Sequence, residues 1–303
     1  MRVTLIHNPK AGDDEHPSVD EVVALIRAAG HAVTHQPCNG DHWERALDEP
    51  GDLVAVAGGD GTVGAVAVRL VGRRVPIAVL PVGTANNIST TLGLADTPIE
   101  QLIAGWADAR PIGFDAGVVQ GPWGATSFIE GAGVGLLASA ISQPDFRDIF
   151  ALARLDNREE RITSGQRWLK ERLGKWPAKE LKLTLDDKDL SGEYILVEVM
   201  NIQHIGPSLH FAPDADPGDG LLDVILFSAA DRGKLGDYLT SRLEGHCHPP
   251  QWTVPRGKHL QLRWDGSEMH IDDKTWPDDG LQFAPSPMVI DVRADYHALE
   301  FLV

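Results

Sequence analysis

The chain has 303 residues, enough for two domains and a sizeable core. Its 27 Lys and Arg stand against 44 Asp and Glu, and the net charge of −17 argues against general nucleic-acid binding and against attraction of the whole surface to anionic lipid. It holds no run of about 18 apolar residues that would span a membrane, and its two cysteines, Cys38 and Cys247, make no disulfide framework. Met1-Arg2 leads straight into an apolar strand, so no signal peptide is expected and a reducing cytoplasm is the expected compartment.

Val3 to His7 reads as a strand that ends in the loop Asn8-Pro9-Lys10-Ala11-Gly12. Ser18 is placed to cap a helix. Val19, Val22, Val23 and Ile26 give that helix an apolar stripe, and Gly30 stops it. His31 to Gln36 is a second strand and Asp41 to Leu47 a short helix. Asp52 to Ala57, rich in valine, reads as a buried strand of a parallel sheet. Gly58-Gly59-Asp60-Gly61 then breaks the pattern, and a helix follows from Thr62, its expected N-cap, to Leu70. Glycines at such a junction let a phosphate approach the backbone, and helix N-terminal N–H groups favour it. Asp60 would repel that phosphate unless Mg2+ bridges the two. The plainer reading is a tight turn with no ligand. The pattern is neither a Walker loop nor the dinucleotide fingerprint.

Val75 to Leu80 is the next strand, and Pro81-Val82-Gly83-Thr84-Ala85-Asn86-Asn87 a third loop before a helix from Ile88 to Leu92. Repeated strand–loop–helix units imply parallel strands with right-handed crossovers, and the loops at their carboxyl ends should converge on one cleft. Beyond Arg110 the pattern changes. Pro111 to Val119, Ser127 to Ala132, Leu181 to Leu185, Tyr194 to Asn201, Leu221 to Phe227, His259 to Trp264 and Met269 to Asp272 read as strands of a mainly antiparallel domain. A helical stretch from Asp145 to Lys175 interrupts them. Residues 154–182 hold nine Lys or Arg against five Asp or Glu, with Trp168 and Trp176 among them. This stretch is either a solvated helix face or a local contact for a lipid surface. His246-Cys247-His248 suggests soft metal ligands, but three adjacent residues do not wrap one tetrahedral ion. His204 and His210 flank Gly206-Pro207 and read as packed or surface histidines.

Four motifs stand in order: Asn8-Pro9-x-Ala11-Gly12, Gly58-Gly59-Asp60-Gly61-Thr62, Pro81-x-Gly83-Thr84-x-Asn86-Asn87, and Phe211-Ala212-Pro213 followed by Asp219-Gly220-Leu221-Leu222-Asp223-Val224. The ordered set resembles the diacylglycerol kinase catalytic-domain family, in its bacterial soluble lipid-kinase branch. NAD kinases and phosphofructokinases share the G-G-D-G turn and a related fold but fit less well. The resemblance implies two domains. Residues 1–113, with 288–303 returning, would form a parallel α/β ATP-binding domain, and 114–287 a mainly antiparallel β-sandwich for the lipid substrate. It implies ATP and Mg2+ in a cleft between them, transfer to a lipid hydroxyl, and peripheral contact with a membrane.

By position in the motifs, Gly58, Gly59, Asp60, Gly61, Thr62, Val63, Gly64 and Ala65 would cradle the phosphates, with Asp60 near Mg2+. Asn8, Pro9, Gln36, Thr84 and Asn86 would line the nucleotide site, and Asp115 would join a Mg2+ and water network. The turn Asp216-Pro217-Gly218-Asp219-Gly220-Leu221 matches a second, structural Mg2+ site, for which the resemblance implies the Asp219 side chain and the backbone carbonyls of Asp216 and Leu221. The family's general base is an aspartate in a D-G-E turn on a late strand. Two positions compete for it. Asp265-Gly266 keeps the D-G, whereas strand register favours Asp272. Asn87 replaces a usual aspartate, and Asp273-Lys274 replace the usual Gly-Glu. These departures leave open a regulatory nucleotide- or lipid-binding protein without turnover. A sphingoid, ceramide or soluble polyol acceptor is a further alternative.

Overall fold

The computed structural model describes residues 1–12, 16–151, 157–246, 251–276 and 288–303. Two compact units result: unit 1 is Met1–Ala116 with Tyr296–Val303, and unit 2 is Gly117–Asp295. In chain order unit 1 carries β1 (Arg2–His7), α1 (Val19–Ala28), β2 (Ala32–Pro37), β3 (Leu53–Gly58), α2 (Asp60–Leu70), β4 (Ile77–Pro81), α3 (Asn87–Thr91), α4 (Ile99–Gly105) and the start of β5 (Pro111–Gly121). Unit 2 holds the rest of β5, then β6 (Gly124–Phe128), β7 (Gly131–Gly135), α5 (Leu136–Ser142), α6 (Pro144–Ala151) and α7 (Arg158–Leu173). There follow β8 (Lys179–Leu185), β9 (Lys188–Asp189), β10 (Gly192–Met200), β11 (His204–Ile205), β12 (Leu209–His210), β13 (Leu222–Ser228) and α8 (Arg232–Leu243). The chain continues with β14 (Arg256–Gly257), β15 (His259–Trp264), β16 (Met269–Ile271), β17 (Lys274–Trp276) and β18 (Met288–Leu302).

In unit 1, β1 pairs in parallel with β2 and β3, and β3 pairs in parallel with β4. The end of β18 adds in parallel at β4, Phe301 opposite Ile77. Every residue of β3 is buried, which is why it reads as an unbroken apolar run rather than an alternation. Ser18 caps α1 in a capping box with Glu21, whose Oε2 accepts the Ser18 N–H at 2.8 Å. α2 begins two residues before the expected Thr62, with Gly59 as its N-cap. The Thr62 hydroxyl is instead taken by the Asn8 side-chain amide at 3.1 Å. Asp41 to Leu47 yields only a 3-10 turn, Trp43–Leu47.

Unit 2 is the mainly antiparallel sandwich. β10 pairs with β13 on one edge and with β7 and β8 on the other; β7 pairs with β16, and β8 with β15. Leu183, Leu260, Leu262, Ile290 and Val292 pack against Val134, Val197, Val199, Val224 and Ile271 to form the inner core. On the far side of β10 and β13 a second core gathers α5 to α8, including Leu137, Trp168, Leu169, Phe227 and Leu239. Residues 288–295, expected with the first domain, lie in unit 2 because they pair with β15. The expected strand Ser127 to Ala132 is two strands, broken at Ile129-Glu130. α5 has no polar face to betray it, since Leu136 to Ala140 are all buried, and α8 carries Gly233 and Gly236.

The tryptophans of the basic stretch do not face outward. Trp168 is 7% exposed, its Nε1 donates to Asp145 Oδ2 at 2.9 Å, and the Arg172 guanidinium lies 3.7 Å over its ring. Trp176 packs at the edge of the same core. No helix among the described residues is long and apolar enough to cross a membrane. Trp168→Ala should therefore lower unfolding free energy by about 3–5 kcal/mol in a denaturant titration. An unchanged midpoint would return Trp168 to the surface.

Candidate active site

In unit 1 the three strand-end loops meet. The Asn8 N–H donates to Ala57 O at 2.9 Å, and the Asn8 amide reaches Thr62. Gly59 and Gly83 pack backbone against backbone: a Cβ on Gly83 would lie 2.2 Å from Gly59 Cα, so no other residue fits there without moving a loop. Asn86, 2% exposed and left-handed at φ +54°, caps α3 while its Oδ1 accepts the Gly83 N–H at 3.0 Å. Asp60 Oδ1 accepts the Ile88 N–H at 2.9 Å, which brings its carboxylate to the start of α3 beside Asn87. Gln36 sits at the end of β2, its amide turned to Pro37 O at 2.9 Å. Pro9 and Thr84 lie in the first and third of these loops, and Gly61 to Ala65 form the first turns of α2. Carboxylate and amide oxygens suit a hard cation, so Asp60 and Asn87 fit a Mg2+ that accompanies a nucleotide. Asp115 is fully buried in β5, where its Oδ1 accepts the His297 N–H at 2.7 Å.

In unit 2 Asp272 forms a two-residue turn with Asp273 between β16 and β17, at φ +50°. Its carboxylate accepts N–H groups from Ile129 (3.0 Å), Glu130 (2.8 Å) and Gly131 (3.3 Å), and its own N–H donates to Gly131 O at 2.8 Å. Asn201 holds this nest from behind: its amide donates to Ile129 O at 3.1 Å and its N–H to Glu130 O at 2.9 Å. Burial pushes the Asp272 carboxyl up to about 6, partly offset by the three N–H groups. Asp265 differs. Burial would raise it too, but bonds from Ser267 hold its carboxyl below the ordinary carboxylate range. The environment thus favours Asp272 as a proton acceptor near neutral pH.

Elsewhere in unit 2 a cavity of about 230 Å3 is lined by Val134, Trp176, Leu181 and Leu196, with Lys179 and Glu268. His204 and His210 stack at 4.2 Å and 8°. Burial, with the charge of Arg242, keeps both below the usual histidine range, His204 at about 3, so they are neutral packed rings. Of His246-Cys247-His248, the last two lie outside the described residues.

Residues 2–118 match the diacylglycerol kinase catalytic domain, and residues 165–301 match the YegS C-terminal NAD kinase beta sandwich-like domain. Over 263 residues the chain is 30% identical to a diacylglycerol kinase of Bacillus subtilis, covering 80% of this chain and 79% of that one. The chain belongs to the diacylglycerol kinase catalytic-domain family. It is also 29% identical over 301 residues to a Pseudomonas aeruginosa protein named "Probable lipid kinase YegS-like", covering 95% and 92% of the two chains. The crystal structure of a diacylglycerol kinase from Bacillus anthracis shares its fold, with TM-score 0.68, 20% identity, and 99% and 96% coverage.

In the turn expected to hold a structural Mg2+ through the Asp219 side chain and the carbonyls of Asp216 and Leu221, both aspartate side chains have partners within the protein. Asp216 Oδ1 accepts the Gly218 N–H at 2.9 Å, and Asp219 Oδ1 accepts the Leu221 N–H at 2.9 Å. Asp219 Oδ2 is bonded by the Arg256 guanidinium, which also pairs with buried Asp223 at 3.2 Å. A positive charge is thus already built into the turn, and these residues do not fit a resident Mg2+ without displacing Arg256. Sequence reading missed Arg256 because it arrives from β14, far along the chain. Chelation should leave the melting temperature of the protein unchanged. Arg256→Gln should lower stability by roughly 3 kcal/mol by leaving buried Asp223 unpaired, and added Mg2+ should partly restore it. Loss of stability of the unaltered, nucleotide-free protein in chelator would count against a turn already closed by Arg256.

Proposed function

We propose that this protein is an ATP-dependent lipid kinase that transfers the γ-phosphoryl group to a hydroxyl of diacylglycerol or a related lipid. The observation that carries the reading is the Asp272 carboxylate, fixed by three backbone N–H groups and lifted by burial to about 6. Such a carboxylate is mostly ionised at pH 7 yet basic enough to take a hydroxyl proton. Family membership supports nucleotide use.

In this reading the backbone from Gly58 to Ala65 holds the triphosphate, while Asn8, Pro9, Gln36, Thr84 and Asn86 line the nucleotide. Bound at Asp60, Mg2+ would neutralise charge on the β- and γ-phosphate oxygens. Asn87 supplies an oxygen there without the charge of an aspartate. Asp272 accepts the proton of the lipid hydroxyl as its oxygen bonds to the γ-phosphorus; the bond from that phosphorus to the bridging oxygen breaks, and ADP leaves with the electron pair. The apolar cavity in unit 2 favours an acceptor with an alkyl portion over a polyol. Contact with a membrane would be peripheral and local.

Labelled ATP with Mg2+, offered diacylglycerol, sphingoid and ceramide lipids in mixed micelles beside soluble polyols, should label a lipid and no polyol. Transfer to a polyol without detergent would replace the lipid reading. ATP binding without transfer to anything would favour a regulatory protein, with Asn87 and Asp273-Lys274 as the changed groups. The pH dependence follows from the raised pKa of Asp272: the acid form is inactive, so log kcat/KM should rise with pH to about 6 and then level. A profile flat from pH 4.5 to 7, within roughly a factor of two, would exclude a titrating carboxylate with that value as the base.

A further inference from the structure

Strand β10 is apolar along its buried length except at Glu198, and β16 places His270 between Met269 and Ile271. Both are 0% exposed. The pairing registers put both opposite one residue of the intervening strand: Glu198 faces Gly133 on one edge of β7, and His270 faces Gly133 on the other. A Cβ at Gly133 would lie 2.0 Å from Glu198 Oε2. The missing side chain is what lets the two groups meet across β7, with His270 Nε2 2.6 Å from Glu198 Oε2. The other ring nitrogen, Nδ1, is 2.9 Å from Asp272 O.

The protons of this chain follow from its acceptors. Asp272 O can only accept, so Nδ1 carries a hydrogen. One further proton lies between Nε2 and Oε2, because a bare carboxylate against an unprotonated nitrogen would repel it. Burial pushes the Glu198 carboxyl up. Burial opposes a charged His270, but the Glu198 carboxylate outweighs it and pushes the imidazole up. The pair is therefore neutral overall and keeps Nδ1 as a fixed donor. An apolar pair of the same volume would pack β10, β7 and β16 at least as well.

We infer that Glu198 and His270 are positioning residues for Asp272: Glu198 orients the imidazole across Gly133, and the imidazole holds the Asp272 carbonyl, so that the turn keeps its left-handed residue and presents the carboxylate to the acceptor hydroxyl. The inference rests on the kinase reading for its catalytic consequence, but its structural content stands apart from it. Sites whose reacting group is held from a supporting layer lose rate when that layer loosens.

The test separates the two ring nitrogens. An asparagine amide falls where Nδ1 lies and a glutamine amide where Nε2 lies. Both changes are made with Glu198→Gln, so that no charge is left unpaired. E198Q/H270N should keep kcat within about threefold, whereas E198Q/H270Q and the apolar pair E198M/H270L should lose about 20-fold or more in kcat with KM for ATP unchanged. In the last two, amide hydrogen exchange of the peptide 269–276 should quicken by about tenfold while the melting temperature of E198M/H270L is kept. The inference is overturned if kcat follows melting temperature across the series, or if the turn exchanges equally slowly in all of them. If E198M/H270L does not fold, the asparagine–glutamine contrast decides. If the unaltered protein transfers no phosphate, the kinase reading fails, and exchange of the turn still decides the positioning role.

Discussion

A carboxylate bonded by three consecutive backbone N–H groups is the interaction on which the β16–β17 end of unit 2 depends. It requires β6 and β7 to break at Ile129-Glu130, so that their N–H groups leave the ladder and turn to Asp272. It requires Asn201 at the end of β10 to hold the carbonyls those residues leave behind. It also requires a non-glycine residue in the left-handed region, which costs free energy and persists only when its surroundings fix it. Burial and N–H bonding pull the carboxyl in opposite directions, and burial wins. That balance separates Asp272 from Asp265, a carboxyl of the same type a few residues away in a looser hairpin turn.

Unit 1 solves a different problem by close approach of backbone to backbone. Gly59 and Gly83 touch, Asn86 locks Gly83, and Asp60 holds the start of α3. The three loops pack into one surface of oxygens and N–H groups at the carboxyl ends of parallel strands, where open α/β sheets bind ligands.

Much of this was legible before the structure. Fully buried parallel strands announce themselves as apolar runs, and strand–loop–helix repetition gave the order of unit 1. Glycine at 58, 59 and 61 marked the turn, although the start of α2 was misplaced because Thr62 spends its hydroxyl on a residue 54 positions earlier. Long-range partners were not legible. Arg256, Asn201 and the Ile129–Gly131 nest reach their targets through pairings that local pattern does not encode. The burial of Trp168 was not legible in a stretch that reads as a solvated face or a lipid contact, because neighbouring charge says nothing about which face of a helix is covered. Two signals were available and went unread: a lone glutamate within an apolar strand, at 198, and glycines at alternate positions 131, 133 and 135. Together they mark a strand face where a buried charge needs room.

The most direct test of the account compares Asp272→Asn with Asp265→Asn in single-turnover phosphate transfer from ATP to a lipid acceptor, with ATP affinity measured alongside. Asp272→Asn should lose about 10^3-fold in rate with ATP affinity unchanged, and Asp265→Asn should stay within about threefold of the unaltered protein. The reverse ranking, or full activity of Asp272→Asn, would contradict the assignment of the nested carboxylate as the proton acceptor.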